Sequence, residues 1–151
     1  MTRLRHGTWV LIADGEKALF TRNVDDAQDP HLQVIRKDTQ DNPPTREQAA
    51  NRPGRFNDGP SVHRSAVADT DWHELAKERF ADELAEHLYE QAHKGAFERL
   101  VLVAPPKTLG ELRQALHKEV ADKVIAEIPK TLTGHPLDKI EALLKDDLAA
   151  L

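Results

Sequence analysis

Three arginines and one aromatic ring in a proline-broken stretch are the residues of this chain best suited to holding a ligand. Arg52, Arg55 and Arg64, with Phe56 beside Arg55, fall between Pro43-Pro44 and Asp71. Guanidinium groups in such a segment can sit on phosphates while the ring stacks on a base, the way single-stranded nucleic acid is held. The plainer alternative is an ordered segment whose arginines pair with neighbouring acids, since surface ion pairs need no functional cause.

Asp14 is a weaker candidate, for metal chemistry. It closes a short apolar run, and a carboxylate at a strand end can serve a divalent ion. Metal-assisted hydrolysis needs several carboxylates converging on one or two ions. No second acid stands at a matching strand end, so Asp14 reads first as a turn former with Gly15. The eight histidines lack His-x-x-x-His spacing. Glu83 and His87 share a helical face, as do Glu86 and Glu90, yet His73, His87 and His93 sit among acids and read as surface residues. Ser61 and Ser65 are the only serines, and no Gly-x-Ser-x-Gly elbow occurs. Gly110 opens a helix without the Gly-Lys-Ser/Thr that cradles phosphates. There is no cysteine, which excludes thiolate catalysis, thiolate zinc sites and disulfides. These patterns assign no catalytic residue, no metal and no cofactor.

The elements that must position these residues follow from apolar periodicity. Thr8–Ala13 reads as a buried strand, Asp14-Gly15-Glu16 as a hairpin turn, Lys17–Arg22 as the returning strand and Leu32–Arg36 as a third. A loop from about 39 to 70 comes next. Loops of that length inside a compact domain are uncommon and tend to be functional or disordered. Asp69-Thr70-Asp71 offers N-cap side chains to a helix running from about Asp71 to Lys94. Its stripe is Trp72, Ala76, Phe80, Leu84 and Leu88, widened by Ala81, Ala85 and Ala92, and Gly95 ends it. Trp9 and Trp72 sit on these patterns as core residues. Phe97–Ala104 is the strongest strand and reads as central. Thr108-Leu-Gly-Glu111 has capping-box spacing for a helix holding Leu112, Leu116 and Val120. Lys123–Ile128 reads as a fifth strand, with helix an alternative for its first residues, and a last helix starts at Thr133–Pro136. The order β-β-β-α-β-α-β-α predicts an α/β fold: one domain over 1–151, with a mixed five-stranded sheet and helices packed on it, ribonuclease H-like in topology.

Composition sets the outer limits. A chain of 151 residues with 39% hydrophobic and 31% charged residues can bury a full core beneath a well-solvated surface. Its net charge of −5 argues against a generally basic nucleic-acid binder. The acids concentrate on the long helix (Glu74, Glu78, Asp82, Glu83, Glu86, Glu90), and local basicity is confined to the loop before it. No apolar run is long enough for a membrane span or a signal-peptide core, so a cytoplasmic chain with no membrane insertion is expected.

Several stretches together resemble the bacterial family called "protein required for attachment to host cells", or host attachment protein. They are Val10–Asp14 with Ala18 and Phe20, Pro53-Gly54-Arg55, Arg64-Ser65-Ala66, Arg79-Phe80-Ala81, Leu100–Pro106 with Leu109–Arg113, and Glu127–Thr133. That family is similar in turn to the middle domain of archaeo-eukaryotic class-I translation release factors. There a Gly-Gly-Gln tripeptide on the loop before the long helix promotes peptidyl-tRNA hydrolysis. Here the corresponding loop has no Gly-Gly-Gln, only Pro53-Gly54-Arg55.

The resemblance implies a non-enzymatic cytosolic protein with a ribosome- or RNA-facing loop, its candidate contacts being Arg52, Arg55, Phe56 and Arg64, and only an indirect effect on attachment. The alternatives are a peptidyl-tRNA hydrolase or metal-dependent phosphoesterase on the same fold, or a protein-interaction module using the acidic helix. The sequence does not indicate an oligomeric state.

Overall fold

The computed structural model describes residues 2–40 and 62–151, with backbone only for 62–71 and 73. Strands β1 (Trp9–Ala13), β2 (Lys17–Asn23) and β3 (Leu32–Thr39) form an antiparallel meander. Helix α1 (Val62–His93) leads to β4 (Leu100–Val103). Helices α2 (Pro106–Ala115) and α3 (Lys118–Ala121) precede β5 (Val124–Ile128), and α4 (Leu137–Ala149) follows it. The sheet order is β3-β2-β1-β4-β5, with β1, β4 and β5 parallel. The expected mixed five-stranded α/β sheet is present.

Every residue of β1 and β4 is buried, because helices cover both faces of the sheet centre. Side chains alternate across the pleat. Trp9 and Leu11 join Phe20, Leu100 and Leu102 beneath Phe80, Leu84 and Leu88 of α1 and Leu109 and Leu112 of α2. Val10, Ile12, Val101 and Val103 point the other way, against Ile140, Leu144 and Leu148 of α4. Trp9 is a core residue, its ring 4.8 Å from that of Phe97. Trp72 is half-buried, with the Arg79 guanidinium 5.7 Å from its ring.

The stripe expected on the long helix is the one buried, from Ala76 to Ala92. Gly95 closes that helix at φ +78°, donating to the Ala92 carbonyl at 2.9 Å while Ala96 donates to that of Gln91 at 2.9 Å. This is the Schellman pairing, and only glycine adopts that φ without strain.

Several boundaries differ from the sequence reading. Helix α1 starts at Val62, so residues 62–70 are helical and not loop. The cap-forming Asp69, Thr70 and Asp71 permit a helix start without requiring one. Between Pro60 and the packed part of α1 nothing breaks the helix, and extending an existing helix is far easier than nucleating one. Helix α2 starts at Pro106, with Pro105 at the N-cap position and no side-chain cap. Proline suits the first helical position, and Thr108 is buried instead of capping. The chain leaves helical geometry at Leu116 (ψ 132°) and restarts as α3, where His117 Nδ1 accepts the Glu119 N–H at 3.1 Å. Val120 is therefore buried from a separate turn. Strand β3 runs three residues past the expected Arg36, because Lys37, Asp38 and Thr39 pair with β2 on the sheet edge, where apolar patterning is not needed.

Both edge strands carry a register shift that leaves an isoleucine without a paired partner, Ile35 in β3 and Ile125 in β5. Such bulges twist an edge away from further pairing. Among the described residues no helix is long and apolar enough to cross a membrane.

Candidate functional site

The carboxyl ends of β1, β4 and β5 lie together. There β1 turns back into β2 on one side, while β4 leads through α2 and α3 to β5 on the other. In open α/β sheets such a divergence marks the usual ligand crevice. The connector from β3 to α1 also starts at this edge.

Asp14, immediately after β1, organises the edge. Its Oδ1 accepts the N–H groups of Glu16 (2.7 Å) and Lys17 (2.8 Å), and its Oδ2 accepts the Thr133 hydroxyl at 2.7 Å. Burial alone would push this carboxyl up. The hydrogen bonds from Thr133, Glu16 and Lys17, together with the Lys17 charge, outweigh it and hold the group below its ordinary value. The side chain thus ties the hairpin turn to the β5–α4 connection. Among the described residues no group of three or more His, Asp or Glu could hold a metal ion.

The expected turn at Asp14-Gly15-Glu16 is present, and Gly15 does not adopt the left-handed region in it. Asp14 forms the turn through its side chain. A Cβ at Gly15 would lie 3.1 Å from Lys77 Cδ and Cε on α1, a tight contact that the lysine side chain would have to relieve by shifting a few tenths of an ångström. Gln40, at the start of the connector, donates its backbone N–H to Glu16 O at 2.6 Å and its side-chain amide to Gly15 O at 3.1 Å. The connector therefore leaves from a fixed point.

Charges from α1 and α2 complete the edge. Lys107 pairs with Glu74, whose carboxyl is held low by that hydrogen bond, while the Lys107 ammonium is held high by it. Glu111 is pushed up by burial, with Glu74 and Glu78 adding to the effect and Lys107 opposing it. The described part of this edge carries Asp14, Glu16, Glu74, Glu78 and Glu111 against Lys17, Lys77 and Lys107. It is not basic, so any phosphate contact here depends on the connector.

Arg52, Arg55 and Phe56 lie outside the described residues. Arg64, expected in a loop, falls on the first turn of α1. Sequence reasoning missed Thr133, Gln40 and the Glu74–Lys107 pair, because each acts through a partner distant in the chain. A partial signal existed, since Asp14 and Thr133 end two of the stretches that carried the family resemblance. Arg113 ends a third stretch and Glu127 begins the one that Thr133 ends, and they too are joined, at 2.7 Å.

His87 was read as a surface histidine but is half-buried between α1 and the sheet. Its ring lies edge-on to Phe20 at 4.7 Å, and Arg36 Nη1 lies 3.2 Å from its Nδ1. Burial first, and the Arg36 charge second, hold its pKa below the ordinary 6.5, against the opposing pull of Asp38 and Glu90. Lys94 acts in the same direction as Arg36. A histidine depressed in the folded state stabilises the fold above its unfolded pKa, and that contribution is lost as pH falls below 6.5. The thermal midpoint of His87→Gln is accordingly expected to fall less than the wild type's between pH 7.5 and 5.5. Equal falls would remove His87 from the acid response.

A cleft of about 440 Å³ at the opposite end of the sheet, between Leu4, Pro30 and Leu148, contains none of the candidate residues.

A family model described as "Bacterial archaeo-eukaryotic release factor family 12" matches residues 7–144. No curated protein sequence matches the chain. Among solved structures, the fold is similar to that of an archaeal translation termination factor, aRF1, with a TM-score of 0.47 and 12% sequence identity. That likeness covers 93% of this chain and 37% of the other, so the chain spans little more than a third of that factor's length.

Proposed function

Because this chain belongs to family 12 of the bacterial archaeo-eukaryotic release factors, we propose that it is a non-enzymatic, translation-factor-like binding domain. It acts in the cytoplasm on a ribosome- or RNA-associated partner, through the arginine-bearing connector between β3 and α1. The family match over 7–144 is the observation that carries this reading. The chain has no Gly-Gly-Gln anywhere, which argues for binding and against peptidyl-tRNA hydrolysis. The described edge around Asp14 holds more acids than bases, which leaves Arg52, Arg55 and Arg64, with Phe56, as the groups for phosphates and a base. Any influence on attachment to host cells is then indirect.

Co-sedimentation with ribosomes at two salt concentrations tests the proposal. Binding is expected at low salt and should weaken steeply as salt rises, since each phosphate contact releases a counterion. Arg55→Ala should leave the thermal midpoint unchanged and lower the salt dependence by about one charge's worth. Absence of binding even at low salt would remove the reading.

A further inference from the structure

A second surface, on the opposite flank of α1 from β3, has the chemistry for a different partner. A groove of about 380 Å³ runs between α1 and the junction of α2 with α3, lined by Asp82, Ala85, Glu86, Tyr89, Ala115 and His117. Four of these, at positions 82, 85, 86 and 89, form one face of α1 by helical spacing. Ala85 and Ala115 leave the space, and the Tyr89 and His117 rings stand 4.3 Å apart as one wall. His117 accepts a backbone N–H at Nδ1, which holds the wall in place. Next to Tyr89, with ring centroids 5.9 Å apart, His93 lies 3.6 Å from Glu119.

The two acids of the groove favour a cation. Asp82 and Glu86 are exposed, and neither is in an ion pair among the described residues. They stand four apart on one helix, and like charges at that spacing weaken a helix. Helix α2 ends and α3 begins at this junction, so their opposite dipole ends offset and the two carboxylates set the sign. An aromatic wall beside two carboxylates fits a flat guanidinium, which stacks on rings and bonds carboxylates through its fork of donors.

We propose that this groove binds an arginine side chain presented by a basic protein segment. Phosphate-bearing ligands are disfavoured by the same carboxylates. The site is independent of the connector arginines, so ribosome binding and groove binding can fail separately.

The test uses the full chain and the peptide acetyl-Gly-Arg-Gly-Arg-Gly-amide, followed by amide and side-chain NMR shifts. Shifts are expected to centre on Asp82–Tyr89 and Ala115–His117, and to vanish when citrulline replaces arginine. D82N/E86Q should weaken binding by about tenfold or more, as loss of paired charges does. E83Q/E90Q removes the same charge from exposed positions of α1 outside the groove and should change affinity by less than about twofold. All four residues are exposed, and matching thermal midpoints would show that both variants fold. The proposal is overturned if the two double variants weaken binding equally, if the citrulline peptide binds as well, or if the shifts are absent or fall elsewhere.

Discussion

Phe80→Ala should destabilise the protein by about 3–5 kcal/mol, lowering the thermal midpoint by roughly 10 °C. Phe80 is 3% exposed and packs in the cluster that joins α1 and α2 to β1, β2 and β4. Truncation removes most of a ring from between helix and sheet. The cluster includes β-strand residues fixed by their ladders, which limits how far it can collapse into the space. Leu75→Ala, five residues earlier on the same helix, is the control. Leu75 is 53% exposed, and its loss should change stability by less than about 0.5 kcal/mol. Chemical denaturation of both variants measures the contrast. Equal small losses would mean that α1 is not docked on the sheet through Phe80.

Asp14→Ala should cost about 2–3 kcal/mol, because three donors lose a charged acceptor at once. Two are the Glu16 and Lys17 amides that shape the hairpin, and the third is the Thr133 hydroxyl, 119 residues away in sequence. Asp14→Asn keeps one oxygen for the two amides and should lose roughly half as much. The acid response supplies a second readout. A carboxyl held below its ordinary value stabilises the fold above the unfolded pKa, here 3.8, and that contribution is lost as pH falls through the lowered folded value. In acid titrations followed by circular dichroism, the wild type should therefore lose more stability below that pH than Asp14→Asn does. If Asp14→Ala leaves stability unchanged, the carboxylate is not a tether, and its place at the strand end calls for another explanation.

These two residues also show how legible the chain was. The partners of Phe80 were readable because an amphipathic helix announces its buried face by spacing alone, and the stripe from Ala76 to Ala92 is buried as expected. The all-apolar β4 was readable as a central strand for the same reason, and Gly95 as a helix stop because its φ suits glycine alone. Asp14 was legible as a turn residue. Its bond to Thr133 was not, since no local pattern encodes which distant loop a strand order brings alongside.

By itself, then, the sequence determined the α/β class, the sheet with its helices, the buried stripe of α1 and the absence of cysteine chemistry. These follow from periodicity, composition and backbone preference, which act over a few residues. Tertiary structure decided where α1 begins, since a packed helix propagates back to the nearest breaker and not to the first plausible cap. It decided that His87 is half-buried against Phe20 and Arg36, and that Gly15 lies against Lys77 without adopting a left-handed turn. It also brought Asp82 and Glu86 of α1 opposite the end of α2, making a groove from two surfaces that each look merely solvated when read alone. Apart from the start of α1, the deciding contact joins residues far apart in sequence, and only the packing of helices on a sheet of fixed strand order brings them within reach.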